Sequence, residues 1–321
     1  MKTPNLSTIL PYVVVSLLLA ACGTQNQGLY LQNLQKSPER LSISNEIGHN
    51  YQGGHIQGVQ VFHEAAEDFL FLSASANDQS YYAIASLQQK KVLSINTFLD
   101  DPFRHAGGFQ IAGNLLAVGI EDNRKKDRSK VMIYQIIDPR KPELRLLKTI
   151  ERAGEYKRYT AGCVAITEQA GTVWVAVGNW DTKDIDYYSI PKTQLNDPTV
   201  DFKLAGSIST DAFNRDDWIE KSWFSYQNIN FFHTKEGQLY LIGTTQDRVR
   251  SLEIMDVFSM NIDGGRPQII RKVAHRTFRA QTGTTLRWGG GIYQDDQGKI
   301  KVYATGENIG NTLLIRCYEE K

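Results

Sequence analysis

Residues 105–151 read HAGGFQIAGNLLAVGIEDNRKKDRSKVMIYQIIDPRKPELRLLKTIE, and this stretch decides the fold. It contains four β-favouring apolar runs, each bounded by Gly, Asn, Asp or Pro. The runs are GFQIAG, LLAVGIED, KVMIYQII and LRLLKTIE. A tight AGN link, a charged loop and a DPRKPE turn separate them, as is typical of connections between antiparallel strands. The stretch therefore predicts one four-stranded antiparallel sheet.

The same order of strands and turns recurs along the chain after residue 50. The unit starts align on His55, His105, Tyr159, Trp223 and Arg287, which are separated by 50, 54, 64 and 64 residues. A repeat of this length with variable loops is typical of propeller blades. We therefore predict an all-β fold, a five-bladed β-propeller. A pair of β-sandwiches and a six-bladed ring are the alternatives.

The two ends of the repeat region are incomplete in a complementary way. The fifth unit, from about residue 286, lacks a fourth strand because the chain ends at Lys321, while ERLSISNEI at 39–47 is a strand without a unit. An N-terminal strand that completes the last blade leaves only short, protected edges. We therefore predict a propeller domain over 39–321, closed by its first strand.

The second unit resembles the blades of secreted LVIVD-type propeller repeats. In that family a V-x-I-Y-x-I strand precedes a D-P-x-x-P turn, and here VMIYQI at 131–136 precedes DPRKP at 138–142. The resemblance covers 105–146 and is poor elsewhere, since DYYSIPK lacks the turn. It implies the fold and not the chemistry, because propellers host enzymes and binding proteins alike.

The N-terminus resembles that of a bacterial lipoprotein precursor. Lys2 precedes an apolar run that is too short to span a bilayer and ends in Leu19-Ala20-Ala21-Cys22, a lipobox. We predict a signal peptide over 1–21 and a lipidated tether over 22–38 that anchors the protein to a membrane through acyl chains on Cys22. Without Asp at position 23, the resemblance implies the periplasmic face of the outer membrane. An ordinary secretory signal or an uncleaved anchor is the alternative.

Charge and cysteine content exclude some partners. Loss of Lys2 with the signal leaves 35 basic and 35 acidic residues, so no basic surplus predicts nucleic-acid binding. Cys163 and Cys317 fall in blades that are not neighbours, so we do not expect a disulfide between them.

A propeller brings the starts of its inner strands together around the central axis. We therefore predict that His55, His105, Tyr159, Trp223 and Arg287 line a polar, aromatic funnel with cationic character. Such a funnel suits a ligand with a carboxylate or a stacked sugar. The alternative is that these side chains only fill and hydrogen-bond a narrow channel.

Metal and hydrolase chemistry have little support. His55, His105 and His63 lack a metal-ligand spacing, so we predict no metal or other cofactor. The axial parts of the inner strands carry amides at Gln60, Gln110, Gln227 and Asn228. A glycosidase usually needs two carboxylates, and none stands at these positions.

Two functions remain open from the sequence. The first is a lipid-anchored platform that binds an envelope protein or a small polar ligand, with the aromatic segment DDWIEKSWFSY at 216–226 as a possible protein anchor or as core. The second is a periplasmic lyase or hydrolase in the central funnel, with His55 or His105 as the base. The platform is our first expectation, because the axial residues do not form a complete catalytic set.

Overall fold

The computed structural model describes residues 33–48, 50–295 and 299–320. The signal peptide, the lipobox and Cys22 lie outside these ranges, so their assignments stay predictions. Within the described ranges no helix is long and apolar enough to cross a membrane. Strands dominate, accompanied by three-residue 3-10 turns at Lys192–Gln194 and Thr210–Ala212.

Four blades follow one another along the chain, and each is a four-stranded antiparallel meander. Blade 1 is β2 (Ile56–Glu64), β3 (Glu67–Ser75), β4 (Gln79–Ser86) and β5 (Lys91–Asp100). Blade 2 is β6 (His105–Ala112), β7 (Leu115–Glu121), β8 (Arg128–Asp138) and β9 (Glu143–Ala153). Blade 3 is β10 (Cys163–Gln169), β11 (Thr172–Gly178), β12 (Asp184–Pro191) and β13 (Lys203–Ser209). Blade 4 is β14 (Asn228–His233), β15 (Leu239–Asp247), β16 (Leu252–Asp263) and β17 (Arg266–Arg279).

The fifth blade joins the two ends of the chain. It consists of β18 (Thr285–Gln294), β19 (Ile300–Thr305), β20 (Thr312–Glu319) and the N-terminal strand β1 (Glu39–Ser44). Strand β1 runs antiparallel to β20, with Glu39 opposite Cys317 and Ser44 opposite Thr312. The predicted closure is confirmed. The packing also begins upstream of residue 39, because Leu34 is buried and forms a bridge with Glu320.

The hydrophobic core is divided into five clusters, and each cluster lies between two neighbouring blades. Side chains alternate between the two faces of a strand, so every blade can supply apolar residues to both neighbours. Phe71 of blade 1 and Phe109 of blade 2, for example, share one cluster. Ile43 of β1 and Val59 of β2 share the cluster that connects blade 5 to blade 1. Five clusters between five blades form a closed ring, which excludes the sandwich pair and the six-bladed alternative.

The inner strands approach one another closely at the axis, and glycine permits this approach. A Cβ atom at Gly291 would collide with the carbonyl oxygen of Val59, and one at Gly107 would collide with that of Gly162. Only a residue without a side chain fits at these two contacts. Cys163 and Cys317 are both buried and free, in blades 3 and 5.

Amide side chains close the middle of the axis. Asn228 Nδ2 donates a hydrogen bond to the carbonyl oxygen of Gln57 on the other side of the ring, at 3.1 Å. Gln110 Oε1 accepts from the backbone N–H groups of Ile166 and Phe231, and its Nε2 donates to Phe231 O. Gln110 therefore connects blades 2, 3 and 4, and the axis has two separate openings rather than one continuous channel.

Candidate functional site

The first opening, called here the strand-start mouth, lies where the inner strands β2, β6, β10, β14 and β18 begin. The loops between the second and third strand of each blade reach the same face, because neighbouring strands are antiparallel. His55, His105 and Arg287 all belong to this mouth: His55 precedes β2, His105 begins β6, and Arg287 is the third residue of β18.

The imidazole of His55 is held in one tautomer. Its Nδ1 lies 2.8 Å from the carbonyl oxygen of Ile56, and its Nε2 lies 3.2 Å from Gln57 Nε2. Because a carbonyl oxygen only accepts, Nδ1 carries the proton and Nε2 accepts from the Gln57 amide. Burial lowers the pKa of His55, and the charges of His105 and Arg287 lower it further, against the hydrogen bond to Ile56 and the charge of Glu307. His55 is therefore neutral at pH 7.

A buried acid lies beside the second histidine, although the geometry between the two facing atoms is not that of a hydrogen bond. His105 Nδ1 lies 3.2 Å from Glu121 Oε1, and Glu121 is 0% exposed. The other oxygen of Glu121 accepts the backbone N–H of Ala161 at 2.9 Å. Ser75 connects the two histidines, because it pairs with His105 across the strands while its Oγ accepts the N–H of His55 at 3.2 Å.

Each histidine is next to a tryptophan whose ring makes a cation–π contact with a basic side chain. The His55 and Trp288 rings are 4.5 Å apart, and the Arg287 guanidinium lies 4.5 Å from the centre of the Trp288 ring. The His105 and Trp180 rings are 5.4 Å apart, and Lys126 Nζ lies 3.9 Å from the centre of the Trp180 ring. The two groups together give the mouth two aromatic rings and two cations.

Arg248 and Glu307 are further charged residues near Arg287. Burial lowers the pKa of Arg287, the nearby Arg248 lowers it further, and Glu307 opposes both. The guanidinium nevertheless stays charged. Glu307 is exposed, whereas Glu121 is buried against His105. The groups directly over the two tryptophan rings are therefore cations.

Tyr159 does not stand at the start of an inner strand, contrary to the aligned unit starts. Strand β10 begins only at Cys163, so Tyr159 belongs to the connection between blades 2 and 3. Its ring packs under the guanidinium groups of Arg152 and Arg158, at 5.9 and 5.5 Å. Both arginines bind the buried carboxylate of Asp186. The tyrosine thus covers an ion-pair network that joins these two blades.

Trp223 packs between blades 3 and 4 rather than at the start of an inner strand, because β14 begins five residues later, at Asn228. Its Nε1 donates to the carbonyl oxygen of Thr182 at 3.1 Å, and its ring contacts Tyr226 and Phe258. It belongs to the apolar cluster between blades 3 and 4. Trp218 and Tyr226 are buried in the same cluster. The aromatic segment at 216–226 therefore packs mainly into the core, which was the alternative to a protein anchor.

Sequence reasoning missed Trp180, Lys126, Trp288, Arg248 and Glu307. Trp288 directly follows Arg287 in the chain, so its position at the mouth was available from the alignment. The other four lie in loops or turns that connect the second and third strands. The antiparallel order of a blade places those loops on the strand-start face, and that rule could have found them.

The acids of the inner strands lie far from this mouth. Within the five inner strands, all of which the structure describes, the acids are Glu64 and Glu168, and both lie at the strand-end side. Two other buried acids, Glu121 on β7 and Glu253 on β16, lie close to the strand starts, where they accept the backbone N–H groups of Ala161 and Leu286. Asp186 pairs with arginines and Asp256 with Lys272. No group of three metal-ligating side chains occurs among the described residues.

Comparison with known proteins shows the fold. No protein-family model matches the chain, and no curated protein matches it. Among solved structures, the catalytic domain of a Coprinopsis cinerea GH62 α-L-arabinofuranosidase superposes with a TM-score of 0.50 at 9% identity, over 89% of this chain and 98% of that one. This likeness shows the β-propeller fold alone. The finer resemblance to LVIVD-type repeats stays a prediction.

Two further structures are similar at slightly lower scores. The RS223 β-xylosidase has a TM-score of 0.49 and 11% identity, over 89% of this chain and 95% of that one. A bifunctional GH43-CE protein of Bacteroides eggerthii has a TM-score of 0.48 and 10% identity, over 87% of this chain and 34% of that one. The chain therefore spans about a third of the length of the Bacteroides protein.

Proposed function

We propose that the protein binds an acidic saccharide at the strand-start mouth. The observation that carries this proposal is the pair of histidine–tryptophan–cation groups around His55 and His105. A tryptophan ring offers a large apolar face with a polar edge, which suits the apolar face of a sugar. Guanidinium and ammonium groups bind a carboxylate through charge-assisted hydrogen bonds.

The charge at the mouth favours an acidic sugar over a neutral one. Arg287 and Lys126 lie over the two tryptophan rings, and Arg248 and Glu307 are the charged groups that act on Arg287. The other acids of the same loops include Asp127 and Asp181, which pair with Arg128 and Lys183. Charges of one sign that line a cleft with low-dielectric walls attract an oppositely charged ligand more strongly than freely solvated charges do. A uronate, which carries its carboxylate on the sugar ring, fits this combination of aromatic and cationic groups.

An enzyme is the second candidate, and we favour it over a protein-interaction platform. The propeller of similar fold from Coprinopsis cinerea is an arabinofuranosidase, and this supports a saccharide as the ligand class. The platform has less support, because the aromatic segment at 216–226 packs mainly into the core. The reaction need not be the reaction of that neighbour, since one fold hosts many chemistries.

Elimination suits the described residues better than hydrolysis does. Hydrolysis by the usual route needs two carboxylates at the scissile bond. The inner strands bring none to this mouth, and the nearby Glu121 and Glu253 are buried and bound to backbone N–H groups. In an elimination, a base takes the proton from the carbon next to the uronate carboxylate, a C=C bond forms, and the C–O bond to the leaving sugar breaks. The leaving oxygen then takes up a proton. The neutral His55 is the candidate base, once its Nε2 exchanges the hydrogen bond from Gln57 for the substrate proton. Arg287 is the group that neutralises the carboxylate.

The location of this activity rests on the sequence alone. We propose that acyl chains on Cys22 hold the protein at the periplasmic face of an outer membrane. Metabolic labelling with a palmitate analogue tests the anchor: the wild type takes up the label and the Cys22→Ser variant does not. Label on both variants, or on neither, would reject lipidation at Cys22.

Calorimetric titration with trigalacturonate tests the binding proposal. We expect the Arg287→Gln and Trp288→Ala variants to bind about tenfold more weakly or worse, because a hydrogen bond to a charged group contributes about 1.5–3 kcal/mol. Arg271→Gln, which removes an exposed arginine on β17, serves as the matched control and keeps wild-type affinity. Equal affinity of the wild type for a neutral trisaccharide, or no effect of Arg287→Gln, would reject the proposal.

Incubation with polygalacturonate separates the two candidates. An unsaturated product detected by its ultraviolet absorbance indicates elimination, and its formation should fall steeply in His55→Ala. New reducing ends without that absorbance indicate hydrolysis and reject the elimination step. Binding without any product leaves the protein as a saccharide-binding propeller.

A further inference from the structure

The second opening of the axis, called here the strand-end mouth, lies where the inner strands end. It contains a cavity of about 460 Å³. Its lining includes Gln60, Phe62, Gln110, Thr167, Phe232 and His233. The volume falls within the usual range for small-molecule sites. We propose that this cavity is a second ligand site, for an uncharged cyclic polyol of the monosaccharide class.

The cavity is separate from the strand-start mouth. Gln110 forms its inner end, where its amide binds backbone groups of blades 3 and 4. Asn228 bridges the ring to Gln57 nearer the strand starts. A molecule in this cavity therefore contacts none of His55, His105 or Arg287.

An unpaired buried donor points to a ligand. Gln60 is 2% exposed and lines the cavity, and its side-chain Nε2 has no hydrogen-bond partner among the described protein atoms. Buried polar groups nearly always have a partner, and such exceptions usually face water, an ion or a ligand. The Gln60 amide thus has a donor for an oxygen of a bound molecule, which it reaches when the buried side chain turns toward the cavity.

The lack of charged side chains in the rest of the described lining indicates an uncharged ligand. The cavity lining contains no Asp, Glu, Lys or Arg among the described residues. Burial lowers the pKa of His233, whose Nε2 lies 2.8 Å from Thr167 Oγ1, so its ring is neutral at pH 7. An ionic ligand would lose its hydration without gaining a counter-charge.

Phenyl and amide groups together suit a sugar ring. Phe62 and Phe232 offer apolar surface, while Gln60 offers a donor and Thr167 a hydroxyl group. Cyclic polyols have one apolar face of C–H groups and an edge of hydroxyl groups, and they match such a mixed lining. The inference does not depend on the acidic saccharide proposed for the other mouth, because it rests on different residues.

Saturation-transfer NMR with D-xylose and D-galactose as probes tests the site on the full chain. We expect transfer to at least one probe in the wild type, and binding at least about tenfold weaker in Gln60→Leu, which keeps the volume but removes the donor. Thr167→Val serves as a second variant in case Gln60→Leu fails to fold by circular dichroism. Arg287→Gln and Trp288→Ala, at the other mouth, should bind the probe as the wild type does.

Three results would overturn the inference. The first is no transfer to either sugar in the folded wild type, which would mean that water alone fills the cavity. The second is wild-type binding by the folded Gln60→Leu and Thr167→Val variants. The third is loss of probe binding in Arg287→Gln, which would place the sugar at the strand-start mouth. Failure of trigalacturonate binding alone would reject the acidic-saccharide proposal and leave this one intact.

Discussion

His105 and Glu121 form a buried pair, with Nδ1 of the histidine 3.2 Å from Oε1 of the glutamate. The same carboxylate accepts the backbone N–H of Ala161, at the connection that leads into blade 3. One acid therefore lies beside a residue of the mouth and, through its other oxygen, joins two blades. Stability and binding should respond differently when this acid is changed.

Replacement of Glu121 by Leu should lower the free energy of unfolding by about 2–4 kcal/mol, because the Ala161 N–H loses its partner in a buried position. Glu121→Gln keeps an acceptor oxygen for Ala161 and should be less destabilised. Urea unfolding of the two variants beside the wild type measures the difference. Equal stability of the Leu and Gln variants would show that the hydrogen bond to Ala161 contributes little.

Glu253 should make the protein less stable as the pH rises. Burial raises the pKa of Glu253 from 4.5 to about 7, although hydrogen bonds from Leu286 and Thr285 lower it. The folded state therefore favours the protonated acid. Its stabilising contribution is complete below the unfolded pKa of 4.5 and is lost as the pH rises through about 7.

The Glu253→Gln variant tests this pH dependence. Between pH 5 and pH 8 the wild type should lose about 2–3 kcal/mol of unfolding free energy relative to the variant, at about 1.4 kcal/mol for each pKa unit. Urea unfolding of both proteins across this range gives the comparison. Parallel stability curves would contradict a raised pKa for this acid.

The closing strand should be necessary for the stability of the ring. Ile43 of β1 is 0% exposed and belongs to the cluster between blades 5 and 1. Ile43→Ala should cost about 2–5 kcal/mol, as large-to-small changes in a core do. Ser42→Ala, at the neighbouring exposed position, is the control and should change stability by less than about 0.5 kcal/mol. Thermal unfolding of both variants distinguishes a structural strand from a loosely attached one.

The two cysteines of the propeller should be unreactive in the folded protein. Burial raises the pKa of both Cys163 and Cys317 to about 12, so neither forms a thiolate at neutral pH. In a Cys22→Ser variant, a thiol reagent at pH 8 should label neither cysteine quickly in the native state and both after denaturation. Rapid labelling of the native variant would indicate an opening between blades.

The architecture was predictable because the repeat is local. The four strands of 105–151 follow from alternating apolar runs and turn residues, and the observed strands β6 to β9 coincide with them closely. Closure by β1 was predictable as well, since one unpaired strand and one incomplete blade leave a single pairing that protects both edges. The strand pattern alone was sufficient for these conclusions.

The site was harder to predict, because its residues depend on how the connections fold. His55, His105 and Arg287 lie at or next to inner-strand starts, so the alignment located them. The connection of residues 210–227 carries Trp223 into the core before β14 begins, and no period in the sequence indicates where that strand starts. Trp180 and Lys126 lie in loops between strands. The length of such a loop does not predict which side chains its residues will contact.

A crystal structure with trigalacturonate shows directly whether the strand-start mouth holds an acidic saccharide. We expect a sugar carboxylate on the Arg287 guanidinium and a sugar ring against Trp288 or Trp180. A well-diffracting crystal grown at saturating ligand that shows the trisaccharide elsewhere, or nowhere on the protein, would contradict saccharide binding at this mouth.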